Sequence, residues 1–372
     1  MTLPIAILRT GAVTSVGLNA PSTFAAMRAR LNNFEETAFL DSKGEPVSAG
    51  IVELGADDAD NVNNVHLGSL DKQITMLAQA VRECLQALPE LDISKIPLLL
   101  CVAEVTRPGR LANLEQSLTA GLEQAMQCQF AAQSATYAYG QTSGVFALNA
   151  AFELLKTHPL ILIAGVDSYL NIATLKAMHE KNRVFASDNQ NGFIPGEAAC
   201  ALLVGHPDSA QHILPRYSNV QTQQIPQIQQ AKQTPGASLF CTGLGIARET
   251  AVIGGTAPNK AKGLSDATKV ALKALPGKAS DIGLRISGQS SEDFYAKEFA
   301  IANSRSNVSA TPLWTLADSL GETGAAAGPL AIGWAYASGH KGYLPASNLL
   351  CLLASDEGER AAAILSFGQY QA

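Results

Sequence analysis

Charge is scarce in this sequence. Asp, Glu, Lys and Arg make up 16% of the 372 residues against 47% hydrophobic, so much of the surface has to be uncharged or covered by a partner. The net charge is −6 and no basic stripe interleaves with aromatics, which leaves nucleic-acid binding without support. Long apolar runs are missing too: 98–102 and 160–166 fall far short of a bilayer's thickness, so no membrane span is expected. Low-complexity arrays and disordered tails are absent from the composition. Met1 to Val16 lacks a basic leader and a small-residue cleavage site, and reads as a first strand.

Paired metal-ligand spacing is lacking among the six cysteines, Cys84, Cys101, Cys128, Cys200, Cys241 and Cys351. Their apolar settings read as free thiols of a reducing compartment, so a cytoplasmic protein is expected. His66, His158, His179, His206, His212 and His340 show no ligand spacing either, and fit surface or capping roles. Neither a metal nor a cofactor is expected.

What is present is length enough for two fused α/β halves, over 1–208 and 209–372. Strands are predicted over 5–10, 96–105, 135–139, 159–166 and 198–204. Helices are predicted over 22–31, 70–88, 111–126 and 142–156, with a polar loop at 57–68. The second half starts near Ile213, with a glutamine-rich connection at 221–234. A helix at 265–274, a strand at 282–286, a small-residue helix at 325–338 and a terminal strand at 361–367 follow. Such alternation implies mixed, mainly parallel sheets covered by helices. No sequence repeat relates the halves.

Four segments carry more than pattern. They are Arg9-Thr10-Gly11-Ala12-Val13-Thr14-Ser15-Val16-Gly17, Gln141-Thr142-Ser143-Gly144-Val145 with 163–168 after it, Phe185 with 191–198, and Gly321-Glu322-Thr323-Gly324-Ala325-Ala326-Ala327-Gly328. In this order and spacing they resemble the β-ketoacyl synthases of fatty-acid and polyketide synthesis over nearly the whole chain. The resemblance implies a five-layer αβαβα thiolase-type fold. It also implies a dimer, formed where the strand before the elbow, 135–139, pairs with its twofold mate.

The chemistry of that family needs a cysteine thiolate at a helix N-terminus, where backbone N–H groups lower its pKa and bind an oxyanion. Two histidines then stabilise an enolate. Carried over by position, the cysteine becomes Gln141, the first histidine Ser287, the second histidine Glu322, and the lysine before it falls at about Ala317. The family's phenylalanine-glycine gate survives in part as Ser366-Phe367-Gly368. A glutamine amide cannot carry an acyl group. Loading-module decarboxylases with glutamine at this position keep both histidines, whereas an ionised Glu322 would oppose an enolate. Glu322 reads as a hydrogen-bonded or ion-paired filler; a general base would need a partner. Asp167, Asp188 and Glu197 read as fold-holding residues. Cys128 and Cys241 do not follow a strand into an elbow, so neither replaces the nucleophile.

The function that fits is a non-condensing homologue, comparable to a chain-length factor that pairs with an active ketosynthase in fatty-acid, polyketide or aryl-polyene synthesis. Two alternatives stand beside it: a protein-binding adaptor on the same fold, for instance one associated with secretion, and a decarboxylase or thioester hydrolase using Gln141 and Glu322. Partners implied are a ketosynthase in a heterodimer or a second copy in a homodimer. An acyl-carrier protein, itself strongly acidic, would need a local basic patch.

Overall fold

The computed structural model of the chain describes residues 4–54, 67–86, 88, 91–208, 237–275 and 277–369. The glutamine-rich connection at 221–234, the start near Ile213, most of the loop at 57–68, His66 and His212 lie outside the described residues.

The N-terminal set of elements runs β1 (Ile5–Thr14), α1 (Ala20–Arg28), β2 (Phe34–Leu40), β3 (Pro46–Gly50), α2 (Leu70–Leu85), β4 (Leu98–Cys101), α3 (Leu114–Met126), β5 (Ala135–Tyr137), α4 (Ser143–Leu154), β6 (Leu160–Ser168), α5 (Ile172–Glu180) and β7 (Glu197–Gly205). The C-terminal set runs β8 (Ala237–Arg248), α6 (Lys262–Leu272), β9 (Leu284–Ser287), α7 (Asp293–Arg305), β10 (Leu313–Thr315), α8 (Ala317–Leu320), α9 (Ala327–His340), β11 (Asn348–Ala354) and β12 (Glu359–Gln369).

Local sequence sets the ends of these elements. Asn19 caps α1 by accepting from the Ser22 N–H, and Ser69 caps α2 by accepting from the Lys72 N–H. The stripe Met76, Leu77, Ala80, Val81 and Cys84 turns α2 onto the sheet. β6 and β7 are buried at every position, as their unbroken apolar runs require of interior strands. Small and apolar all round, α9 is buried on nearly every side.

One mixed sheet of ten strands results, in the order β10-β9-β11-β12-β8-β1-β7-β6-β4-β5. Within it β1-β7-β6-β4-β5 and β8-β12-β11-β9-β10 repeat one pattern, antiparallel for the first two pairings and parallel for the last two. Topology thus relates two halves that no sequence repeat connects. They join where Ile5–Ile7 pairs with Leu239–Cys241.

A central core lies between the half-sheets, filled by α4 and α9. A second core packs α2 and α3 on the N-terminal strands, and a third packs α6 and α7 on the C-terminal strands. The five αβαβα layers follow from these three cores.

Several elements are shorter than their patterns predict. The strand expected at 96–105 stops at Cys101 because Glu104 and Arg107 begin a charged loop, and the one at 135–139 stops at Tyr137 before Gly140. The hairpin of β2 and β3 and helix α5 were not legible from periodicity: β2 is largely exposed, and α5 buries only Thr174, Leu175 and Met178.

Candidate functional site

Each half carries one elbow between its edge strand and its central helix. Gly140 (φ 52°) opens a turn of 3-10 helix at Gly140–Thr142 that leads into α4, and Gly324 (φ 49°) opens the equivalent turn at Gly324–Ala326 leading into α9. Glycine is required at both for two reasons. The backbone is left-handed, and a Cβ would fall inside the carboxylate of Glu104 at the first and of Asp167 at the second. The two helices then cross where Gly144 meets Gly328 and Pro329.

The first elbow presents Gln141, 8% exposed, to the mouth of the second. Its Nε2 donates to Glu322 Oε2 at 2.7 Å, and the Gly324 N–H donates to Glu322 Oε1 at 2.9 Å. Glu322 is held from behind by the glycine-glutamate segment: its N–H donates to the Ile194 carbonyl and its carbonyl accepts from the Gly196 N–H. Burial pushes the Glu322 carboxyl up to about 8, against the opposing pull of those two hydrogen bonds.

Of the four positions singled out in the sequence, Gln141 and Glu322 meet directly, and Ser287 comes near only through its neighbour. Ser287 ends β9 with its hydroxyl accepting from the Gln289 N–H, and the next residue, Gly288, lies against Gln141 Oε1, where an added Cβ would come within 2.6 Å. Ala317 does not reach the chamber; it begins α8, and its carbonyl accepts from the Gly321 N–H.

The gate expected at Ser366-Phe367-Gly368 is not one. These residues sit inside β12, with Ser366 opposite Asn348 and Phe367 opposite Leu239, and the Phe367 ring packs on His340 at 5.4 Å. The terminal strand runs on to Gln369, so the turn that faces Gln141 is instead the one between β11 and β12, with Ala354 and Asp356.

The chamber between the elbows has a volume of about 10 Å³, room for one water molecule. Glu104, Gln141, Tyr169, Tyr295, Glu322 and Asp356 are among its lining residues. Gln141 Oε1 is buried there with no hydrogen-bond partner.

Charge packs densely around this space. Arg107 pairs with both Glu104 and Asp167 and lies over the Tyr169 ring at 4.1 Å. Arg183 takes Glu292 through two hydrogen bonds of 2.8 Å and also pairs with Asp356, which accepts from the Tyr295 hydroxyl. Burial pushes the Glu104 carboxyl up despite Arg107. At Asp356 burial acts upward too, but Arg183 and the Tyr295 hydroxyl outweigh it and hold the carboxyl below its ordinary range.

Outside lies a cleft of about 560 Å³ between loops of the two halves, with Thr106, Pro108, Lys181 and Ile253 on its walls. Glu104, Arg183 and Asp356 line both spaces and form the wall between them.

Among the described residues this arrangement shows no activated nucleophile. The Ser290 hydroxyl donates to Glu292, a carboxylate already clamped by Arg183. Burial pushes the Cys84, Cys101, Cys200, Cys241 and Cys351 thiols far up, and Cys128 is raised as well. His340 lies between Tyr336 and Phe367, away from the chamber, and burial lowers its pKa. Among the described residues, no cluster of three or more His, Cys, Asp or Glu side chains could hold a metal ion. Asp167 and Glu197 serve backbone and ion pairs: Asp167 accepts from the Ser168 and Ala325 N–H groups, and Glu197 binds Lys72, the Ser168 hydroxyl and the Val52 N–H. Asp188 accepts from the Ser42 hydroxyl.

Glu104, Tyr169, Arg183, Tyr295 and Asp356 in the chamber, and Arg107 behind it, are residues that sequence reasoning missed. Charge was the available signal. Glu104 and Arg107 directly follow an apolar strand in a charge-poor chain, and Asp356-Glu357-Gly358 interrupts two apolar strands.

No family profile matches the sequence, and no curated protein matches it. Solved structures do match. A β-ketoacyl synthase from Burkholderia phymatum is 14% identical with a TM-score of 0.71, covering 99% of this chain and 100% of its own. The ishigamide ketosynthase/chain length factor is 15% identical with a TM-score of 0.71, over 100% of both chains. A ketosynthase in complex with its chain length factor, from Xenorhabdus doucetiae, is 13% identical with a TM-score of 0.68, over 98% of both. At such identities the likeness establishes the fold: this chain is folded as ketosynthases and chain length factors are.

Proposed function

We propose that the chain is a non-condensing subunit of ketosynthase fold that acts by pairing with an active ketosynthase in fatty-acid, polyketide or aryl-polyene synthesis. The observation that carries this reading is the Gln141–Glu322 hydrogen bond, closed over a chamber with room for one water. An acyl thioester needs a nucleophile and a channel. Here an amide occupies the first position, and the wall of Glu104, Arg183 and Asp356 stands across the second.

The pairing side of the proposal rests on β5. It ends the N-terminal half-sheet, and exposed apolar residues follow the strands beside it: Val105 (65% exposed) after β4, Tyr139 (36%) after β5 and Ile172 (75%) after β6. The Xenorhabdus complex provides a precedent in which a chain length factor partners a ketosynthase. An adaptor role on the same fold is the second reading, favoured by the small volume of the chamber. Decarboxylation or hydrolysis by Gln141 and Glu322 is disfavoured by the same volume.

Mass measurement on the chain purified alone and together with an active ketosynthase of the same organism tests the reading. A heterodimer lost in Tyr139→Asp is expected. A homodimer that ignores the ketosynthase would turn the assignment towards the adaptor. Release of carbon dioxide from malonyl-carrier protein that disappears in Glu322→Gln would overturn both.

A further inference from the structure

Among the described residues the opposite end of the sheet is also open. β10 is its last strand, and the Leu313 side chain is 38% exposed there. An unpaired edge offers a row of backbone donors and acceptors to any extended segment. Aromatic side chains line this one. Trp314 stacks on Trp334 with ring centres 4.7 Å apart, Tyr343 lies 6.2 Å from Trp314, and the Arg28 guanidinium sits 4.3 Å over the Tyr343 ring. Trp334 is 5% exposed, and its Nε1–H is buried without a partner.

Basic residues flank the Arg28–Tyr343 contact in sequence, although the protein is acidic. Arg28 and Arg30 close α1, Lys341 closes α9, and all three are exposed, in a chain of net charge −6. Leu31, 58% exposed, follows the two arginines. Asp318, a few residues beyond β10, is held by the Thr315 hydroxyl at 2.6 Å.

We propose that this edge, with the ends of α1 and α9 beside it, is a docking site for an extended acidic protein segment that adds to β10 as a further strand. The unpaired edge selects an extended backbone. Side chains alternate across a strand, so Leu313 on one face meets every second side chain, while on the other face Arg28, stacked on Tyr343 beside Trp314 and followed in sequence by Arg30, attracts carboxylates together with Lys341. The site lies at the far end of the sheet from β5, so it does not depend on the pairing proposed above.

The chain's two tryptophans are both in this cluster, so intrinsic emission reports on it directly. The test titrates the whole chain with a short peptide of alternating Glu and Val, its Lys–Val counterpart and a single-stranded oligonucleotide. The acidic peptide is expected to change the emission saturably, to slow amide exchange over 311–316, and to lose affinity about tenfold when Arg28→Glu, Arg30→Glu and Lys341→Glu are combined. Salt titration of the unsubstituted chain serves as an independent measurement, and affinity should fall as salt rises. Absence of a saturable change, equal binding of the basic peptide, affinity indifferent to salt, or tighter binding of the oligonucleotide would each overturn the proposal.

Discussion

The two halves solve one structural problem twice and differ in how they spend charge. Each half ties the start of its second strand to an outer helix through a buried ion pair. In the N-terminal half Lys72 of α2 reaches Glu197 at the head of β7; in the C-terminal half Glu298 of α7 holds Arg360, one residue into β12. The sign of the strand's charge is reversed between them, so the tie is made with either polarity. The elbows differ more. Both begin at a left-handed glycine set against a carboxylate, yet the first delivers Gln141 to a polar chamber and the second delivers Ala325 to the core. Backbone geometry at the elbow therefore survives independently of the side chain it presents.

The largest expected effect breaks the asymmetry at the elbows. An unfolded Glu322 releases its proton near 4.5, whereas the folded one holds it to about 8. The folded state therefore binds more protons over that window. Stability falls as pH rises through it, by up to about 5 kcal/mol. Urea unfolding of Glu322→Gln at several pH values should give a flatter profile that lies above the wild type at pH 8, with a remaining slope in the same direction from Glu104. An unchanged slope would refute the assignment.

Next comes the comparison of the two ties. Glu298→Ala leaves a guanidinium buried and unpaired, and Lys72→Ala does the same to a carboxylate. Each should cost about 3–5 kcal/mol in denaturant midpoints, while replacing both Glu298 and Arg360 by methionine should cost much less. Smaller still is the contrast of the glycines. Gly140→Ala and Gly324→Ala should each lose about 1–3 kcal/mol by thermal unfolding. Arg107 holds both facing carboxylates, but Gly324→Ala should lose more, because Asp167 has the shorter side chain and also accepts from the Ser168 and Ala325 N–H groups, whereas Glu104 accepts from the Ser355 hydroxyl.

Sequence made the architecture legible where burial leaves a continuous apolar record, as in β6, β7 and the all-round apolar α9, although β11, just as apolar, went unassigned. The meeting of Gln141 with Glu322 was readable only through resemblance, since 181 residues separate them and no local pattern links them. Ser366 to Gly368 misled because a Phe-Gly pair inside a strand and one in a turn read alike without the register of β12. Arg183 and Asp356 stayed hidden for another reason: a charge in a loop is ordinarily solvated, and only the fold shows that these two face each other.

The junction of the halves also bears on how the chain is made. β1 leaves the ribosome well before β7 and β8, the strands it pairs with. The pairing of Val13 with Ala199 must wait for roughly 190 further residues, about 10–40 s at ordinary rates of synthesis. During that interval an apolar strand with two unpaired edges is carried by a growing chain. The first strand is thus the last piece of its own half to be enclosed, and the nascent polypeptide is a natural client for a chaperone until its second half begins to emerge.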